Sequence, residues 1–121
     1  MQAKDLQNRT KSFSLKILDL VEKLPNTISG RAIANQIVRS GTSVAANYRA
    51  VCRARSDREF IAKMAIVTEE SDETLFWIEI IEAKDFVNQE YLNPIKREAN
   101  ELTAIFVSSL KSIKHRTSQN S

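Results

Sequence analysis

The chain has 121 residues, with 18 Lys or Arg against 15 Asp or Glu, and only two glycines, two prolines, one histidine and one cysteine. That length fits one domain, the few turn formers exclude the many tight connections of a β-sandwich or barrel, and the lone Cys52 excludes an intrachain disulfide or a multi-cysteine metal site. No run of 18 apolar residues is present to span a bilayer and no early apolar run follows Met1, so an all-α, cytoplasmic protein without a membrane segment is expected.

Phe13, Ile17, Leu20 and Leu24 recur at helical spacing, with Leu6 seven residues ahead of Phe13, until Pro25 stops the pattern; this predicts a first helix over roughly 8–24. A second stripe, Ile33, Ile37, Gly41, Val44, Tyr48 and Val51, predicts a helix ending near Arg55. Ser56-Asp57-Arg58-Glu59 has the form of a capping box, in which a Ser hydroxyl and the Glu three residues on satisfy free N–H groups, so a third helix is expected to begin there. Its stripe is Phe60, Met64, Val67, Ser71, Leu75 and Ile78, fading near Asp85. Leu92, Ile95, Ala99, Leu102, Phe106, Ser109 and Ile113 give a fourth. Either Asn93-Pro94 is its N-cap and first residue, or Pro94 kinks a helix begun at Asn88. Beyond Lys114 no apolar residue anchors the chain, and residues 116–121 are expected to fray.

Four such helices bury their stripes as an up-down-up-down antiparallel four-helix bundle over residues 1–121. Phe13, Leu20, Ile37, Val44, Met64, Leu75, Leu102 and Phe106 are expected to share its interior. The third helix has apolar residues to spare: Ala62, Ile66, Phe76, Trp77 and Ile80 fall roughly opposite its core stripe. Either that helix is broad-faced with Trp77 half exposed, or Ile66, Phe76, Trp77 and Ile80 form a subunit interface.

Charge is strongly segregated. Residues 26–56 hold five arginines and no acid, whereas residues 57–85 hold nine acids against three cations. The two segments either pair with each other or leave a basic surface for a polyanion. On a helical wheel Arg31, Arg39, Arg49 and Arg53 lie within about 80° of one another, a ridge whose guanidinium forks suit phosphate oxygens. The competing reading is structural: arginines near a helix C-terminus complement its dipole, and any of the row can pair with acids of the third helix.

Ser40-Gly41-Thr42-Ser43 puts a glycine mid-helix at a cost of about 1 kcal/mol relative to Ala, which close approach of a neighbouring helix would offset. The pattern of a phosphate-cradling loop is missing. Asn47, one turn on, is expected to specify packing rather than contact a ligand. Glu69, Glu70, Asp72 and Glu73 evoke the carboxylates of di-iron bundles, but those also need Glu-x-x-His elements. The single His115 follows Ser112 by three residues and lies in the presumed tail, so no metal site, cofactor or His-based triad is expected. Cys52, near the core stripe, is expected to be a buried, inert thiol.

Arg39-Ser40-Gly41-Thr42-Ser43-Val44-Ala45-Ala46-Asn47-Tyr48-Arg49-Ala50, then Ser56 with Glu59-Phe60-Ile61, then Glu69 through Glu79, and finally Ser109-Leu110-Lys111-Ser112-Ile113-Lys114 resemble the bacterial four-helix-bundle family of proteins encoded within intervening sequences of 23S ribosomal RNA genes. The resemblance covers most of the chain. It implies an antiparallel bundle that assembles as a homopentamer and has no established enzymatic activity. Related accessory proteins of diversity-generating retroelements imply contacts with RNA or DNA and with a reverse transcriptase. One departure matters: where one branch of the family carries Asn-Ile-x-Glu-Gly, this chain reads Asn47-Tyr48-Arg49-Ala50-Val51, so an acid is absent, Arg49 is present, and no role of that Glu transfers. The expectation is a non-enzymatic oligomer whose basic ridge binds nucleic acid; the alternative is an interaction scaffold whose charged faces are used in subunit contacts.

Overall fold

The computed structural model describes residues 3–119 and contains four α-helices joined by short turns: α1 (Ala3–Val21), α2 (Ile28–Val51), α3 (Asp57–Ala83) and α4 (Gln89–Gln119). Helix α1 begins earlier than expected because Leu6 and Thr10 extend the buried stripe by two turns. It also ends earlier: Lys23 and Leu24 donate to the carbonyls of Leu20 and Val21 in a tightened turn, as the residue before Pro25 disfavours helical dihedrals.

Thr27 caps α2, its hydroxyl accepting the Gly30 N–H at 3.1 Å. Gly30 is required there, since a Cβ would collide with the Pro25 carbonyl oxygen. Helix α2 ends at Val51 rather than Arg55. Ser56 caps α3 as its sequence predicts, with Oγ accepting the Glu59 N–H at 3.0 Å. The Glu59 carboxylate turns to Arg55 instead, 3.7 Å from its Nε. At the far end of α3, Asp85 adopts a left-handed φ of 55°. Phe86 N–H donates to Ile81 O and Asp85 N–H to Glu82 O, the paired bonds of a Schellman termination. Helix α4 starts before Pro94, with Asn88 Oδ1 accepting the Glu90 N–H at 2.7 Å. Residues 116–119, expected to fray, continue α4; the last two residues lie outside the described range.

Partner numbers show the helix directions. Arg9 meets Glu98 and Glu101, while Lys23 lies over the Tyr91 ring. Asp57, Ser71 and Glu82 meet Arg116, Thr103 and Lys96 in turn. As one residue number rises its partner's falls, so these neighbours run antiparallel. Around the bundle the order is α1, α2, α3, α4. The diagonal α2 and α4 meet through the Tyr48 and Phe106 rings, 5.8 Å apart.

Of the expected core, only Leu75 is displaced to a half-buried position; Thr74 and Ile81 take the interior beside Met64, Val67 and Ile78. Thr74 can be buried because its hydroxyl donates to the Glu70 carbonyl at 2.8 Å and lies 3.0 Å from Ser40 Oγ, which removes the penalty of an unpaired polar group. The Ser40-Gly41 segment is the tightest seam in the fold. A Cβ on Gly41 would stand 2.8 Å from Ile17 Cγ2, and Ser14 donates to the Gly41 carbonyl at 2.7 Å. Small residues therefore let α2 approach α1 at one position and α3 at the next.

Candidate nucleic-acid interface

Arg49 and Arg53 lie one turn apart, so both project from the same side of α2. Ala45 and Ala46 beneath them are too small to fill the space towards α1, and Gln7, Asn8 and Lys11 form the facing wall of a groove of about 490 Å³. On the other flank, Ala46, Arg49 and Arg53 border a second groove of about 330 Å³ with Arg55, Glu59 and Lys63. The two arginines thus form a crest between two shallow grooves, with a lysine on either side. Glu59 is engaged by Arg55. Among the described residues, no carboxylate lies within ion-pair distance of Lys11, Arg49, Arg53 or Lys63.

The other two members of the sequence-derived ridge are not part of this crest. Arg31 is exposed and donates to Asn26 Oδ1 at 2.8 Å; at 1.5 Å rise per residue it stands roughly 27 Å along α2 from Arg49. Arg39 reaches across to α3, 3.1 Å from Glu73 Oε2. The same oxygen accepts the Trp77 indole N–H at 3.3 Å. Lys11 and Lys63, absent from the sequence-derived ridge, come to the crest from neighbouring helices. Only the cross-helix register places them there, and no single-helix periodicity carries that signal.

Of the candidate interface residues on α3, Ile66 and Phe76 are 45% and 49% exposed, whereas Trp77 and Ile80 are half-buried against the core. Phe76 meets the edge of Trp77 with ring centroids 5.0 Å apart. Beside them Glu70 places one carboxylate oxygen, Oε2, in a fully buried position with no hydrogen-bond partner among the described residues. Burial first, then the neighbouring Glu73, push its carboxyl above the usual range, with Glu69 adding to the rise and Arg39 opposing it. Asn47 bonds within its own helix, Nδ2 donating to Ser43 O at 2.9 Å. Cys52 is a correction to the expected buried thiol: it is exposed, because α2 ends there and the side chain leaves the core stripe. Tyr48 next to it is buried, and that burial raises its phenol above the usual range.

Among the described residues no group of three or more His, Cys, Asp or Glu is placed to hold a metal ion, and no helix is long and apolar enough to cross a membrane. The fold is similar to the crystal structure of a protein with unknown function from the S23 ribosomal protein family of Bacteroides thetaiotaomicron, with a TM-score of 0.82 and 29% sequence identity. The similarity covers 92% of this chain and 99% of that one. No curated protein matches the chain. Residues 3–108 match the sequence profile described as 23S rRNA-intervening sequence protein, a span that takes in all of α1, α2 and α3, and the chain belongs to that family.

Proposed function

We propose that this protein is a non-enzymatic nucleic-acid-binding bundle that grips phosphates with the crest of α2. The observation that carries the reading is the state of Arg49 and Arg53: two guanidinium groups on one face, flanked by Lys11 and Lys63, with no carboxylate among the described residues within ion-pair distance and the nearby Glu59 turned to Arg55. An arginine whose role is structural pairs with an acid, as Arg9 does in bonding both oxygens of Glu98 at 2.7 Å. No side-chain acceptor among the described residues takes a hydrogen bond from the crest arginines, which leaves those donors for a ligand. Phosphate contacts carry no sequence information, so binding is largely independent of base sequence. Labelled single-stranded RNA titrated in about 50 mM salt should bind and should be released steeply as salt rises. Undetectable binding of both RNA and DNA by folded protein would defeat the reading.

The Arg39 to Glu73 pair supports the scaffold alternative for that one arginine, because its charge is already met within the chain. Self-association is part of the proposal and rests on the exposed Ile66 and Phe76. Five subunits, the number the family resemblance implies, would give about 68.5 kDa from the 13.7 kDa chain. Light scattering that returns a monomer at micromolar concentration would remove this part and leave the crest untouched.

A further inference from the structure

The antiparallel order brings four stretches to one end of the bundle: the first turns of α1, the end of α2 with its turn, the start of α3, and the last three turns of α4. Side-chain charge sorts by end. Residues 4–11, 44–65 and 107–119 hold eleven Lys or Arg against three Asp or Glu, a balance of +8, whereas residues 12–43 and 66–106 hold seven against twelve, a balance of −5. The overall +3 therefore conceals a bundle polarised along its axis. The basic end is not confined to α2: its farthest part on the chain is Lys111, Lys114 and Arg116 on α4.

We infer that the carboxyl-terminal turns of α4 are a second half of the nucleic-acid interface, so that a strand is held across the basic end of the bundle rather than along α2. The inference rests on the nucleic-acid reading above. Lys111 and Lys114 are exposed, and among the described residues neither has an acid within ion-pair distance. Complementing the helix dipole does not account for Lys111. That effect fades within the last turn, and Lys111 precedes Gln119 by eight residues, more than two turns. Arg116 is partly engaged by Asp57 at 3.4 Å. These two residues, with Phe60, Ser108, Ser109 and Ser112, line a groove of about 520 Å³ between α3 and α4. Neither Lys111 nor Lys114 lines this groove, but Ser108 lies one turn before Lys111 on α4, so the groove's hydroxyls offer neutral hydrogen bonds next to that lysine, the mixture that phosphate and sugar contacts use. The net negative opposite end disfavours a strand lying along the bundle axis, which would pass the acids of α3 and α4. A strand crossing between diagonal helices packed about 10 Å from their neighbours spans roughly 14 Å, or about four phosphates at 3.4 Å rise.

The test is the salt dependence of binding to a labelled uridine 20-mer, measured by anisotropy for the native chain, Lys111→Gln/Lys114→Gln, Lys111→Arg/Lys114→Arg, and Arg31→Gln as a control from the opposite end. Loss of two phosphate contacts should flatten the log–log slope by about 1.4 for each engaged chain. The arginine variant should restore the slope, and Arg31→Gln should leave it unchanged. Circular dichroism of all variants should match the native chain, because the substituted side chains are exposed. Native binding with an unchanged slope in Lys111→Gln/Lys114→Gln would overturn the α4 assignment while leaving the α2 crest standing. No binding by the native chain would overturn both. Tighter binding of polyglutamate than of RNA would assign the basic end to an acidic protein and also overturn the inference.

Discussion

Two neighbourhoods of α2, less than two turns apart, use small residues to opposite ends. At Ser40 and Gly41 the absence of bulk is filled by neighbours: Ile17 from α1 lies where a Gly41 side chain would project, and Thr74 from α3 meets the Ser40 hydroxyl. At Ala45 and Ala46 the absence of bulk is left open, and the space is a groove walled by Lys11, Arg49 and Arg53. The difference lies in what stands opposite. The seam faces the apolar stripe of α1, whereas the crest faces Gln7, Asn8 and Lys11, polar residues that gain nothing from being buried unpaired. One helix therefore carries a packing site and a binding surface, and substitutions should separate them cleanly.

The largest effect should come from emptying the seam. Ile17 is fully buried against Gly41, so Ile17→Ala should cost about 2–5 kcal/mol of unfolding free energy in denaturant titrations. Overfilling the same place with Gly41→Val should cost about 1–3 kcal/mol. The pair should also be coupled: Ile17→Ala with Gly41→Ala should be less destabilised than the sum of the single changes by at least about 0.5 kcal/mol. Additive changes would mean that the two residues do not share this space. Ser14→Ala, which removes the buried hydrogen bond to the Gly41 carbonyl, should cost about 1 kcal/mol.

At the crest the order reverses. Arg49→Gln/Arg53→Gln should change stability by less than about 0.5 kcal/mol while weakening RNA binding. Arg39→Gln should cost at most about 1 kcal/mol, since its pair with Glu73 is solvent-exposed. Its neighbour Glu70 supplies a pH signature. A carboxyl whose folded pKa is raised contributes stability that is full below its unfolded value, near 4.5, and is lost as pH rises through the folded value. Glu70→Gln should therefore remove part of the fall in stability above about pH 4.5, measured by urea unfolding across pH. The groups facing this carboxyl are Glu69 and Glu73 on its own helix and Arg39 on α2. A pH profile identical to that of the native chain would contradict that assignment.

How far the sequence reached follows the same division. Phe13, Leu20, Ile37, Val44, Met64, Leu102 and Phe106 were legible as core because each repeats at helical spacing on its own strip. The Ser56 cap was legible because it is local. Leu75 gives way to Thr74 in the interior because Thr74, polar in sequence, becomes tolerable inside only when Ser40 comes alongside, a fact of inter-helix register. The same ignorance of register grouped Arg39 with Arg49: both lie on the outer side of α2, but only Arg39 is level with an acid of α3 that can reach it. Lys11 and Lys63 are not legible for the converse reason, since nothing in their own helices marks them as neighbours of an arginine. Cys52 reads as core from sequence only if the helical spacing continues past Val51, where α2 in fact ends.

The most direct test of the account compares two variants of α2 in the salt dependence of single-stranded RNA binding. Arg39→Gln should leave the log–log slope of the native chain unchanged, because that charge is already paired within the fold. Arg49→Gln/Arg53→Gln should flatten it by about 1.4 for each engaged chain. Equal slopes for all three proteins, or flattening by Arg39→Gln alone, would contradict the assignment of the crest as the phosphate-binding surface.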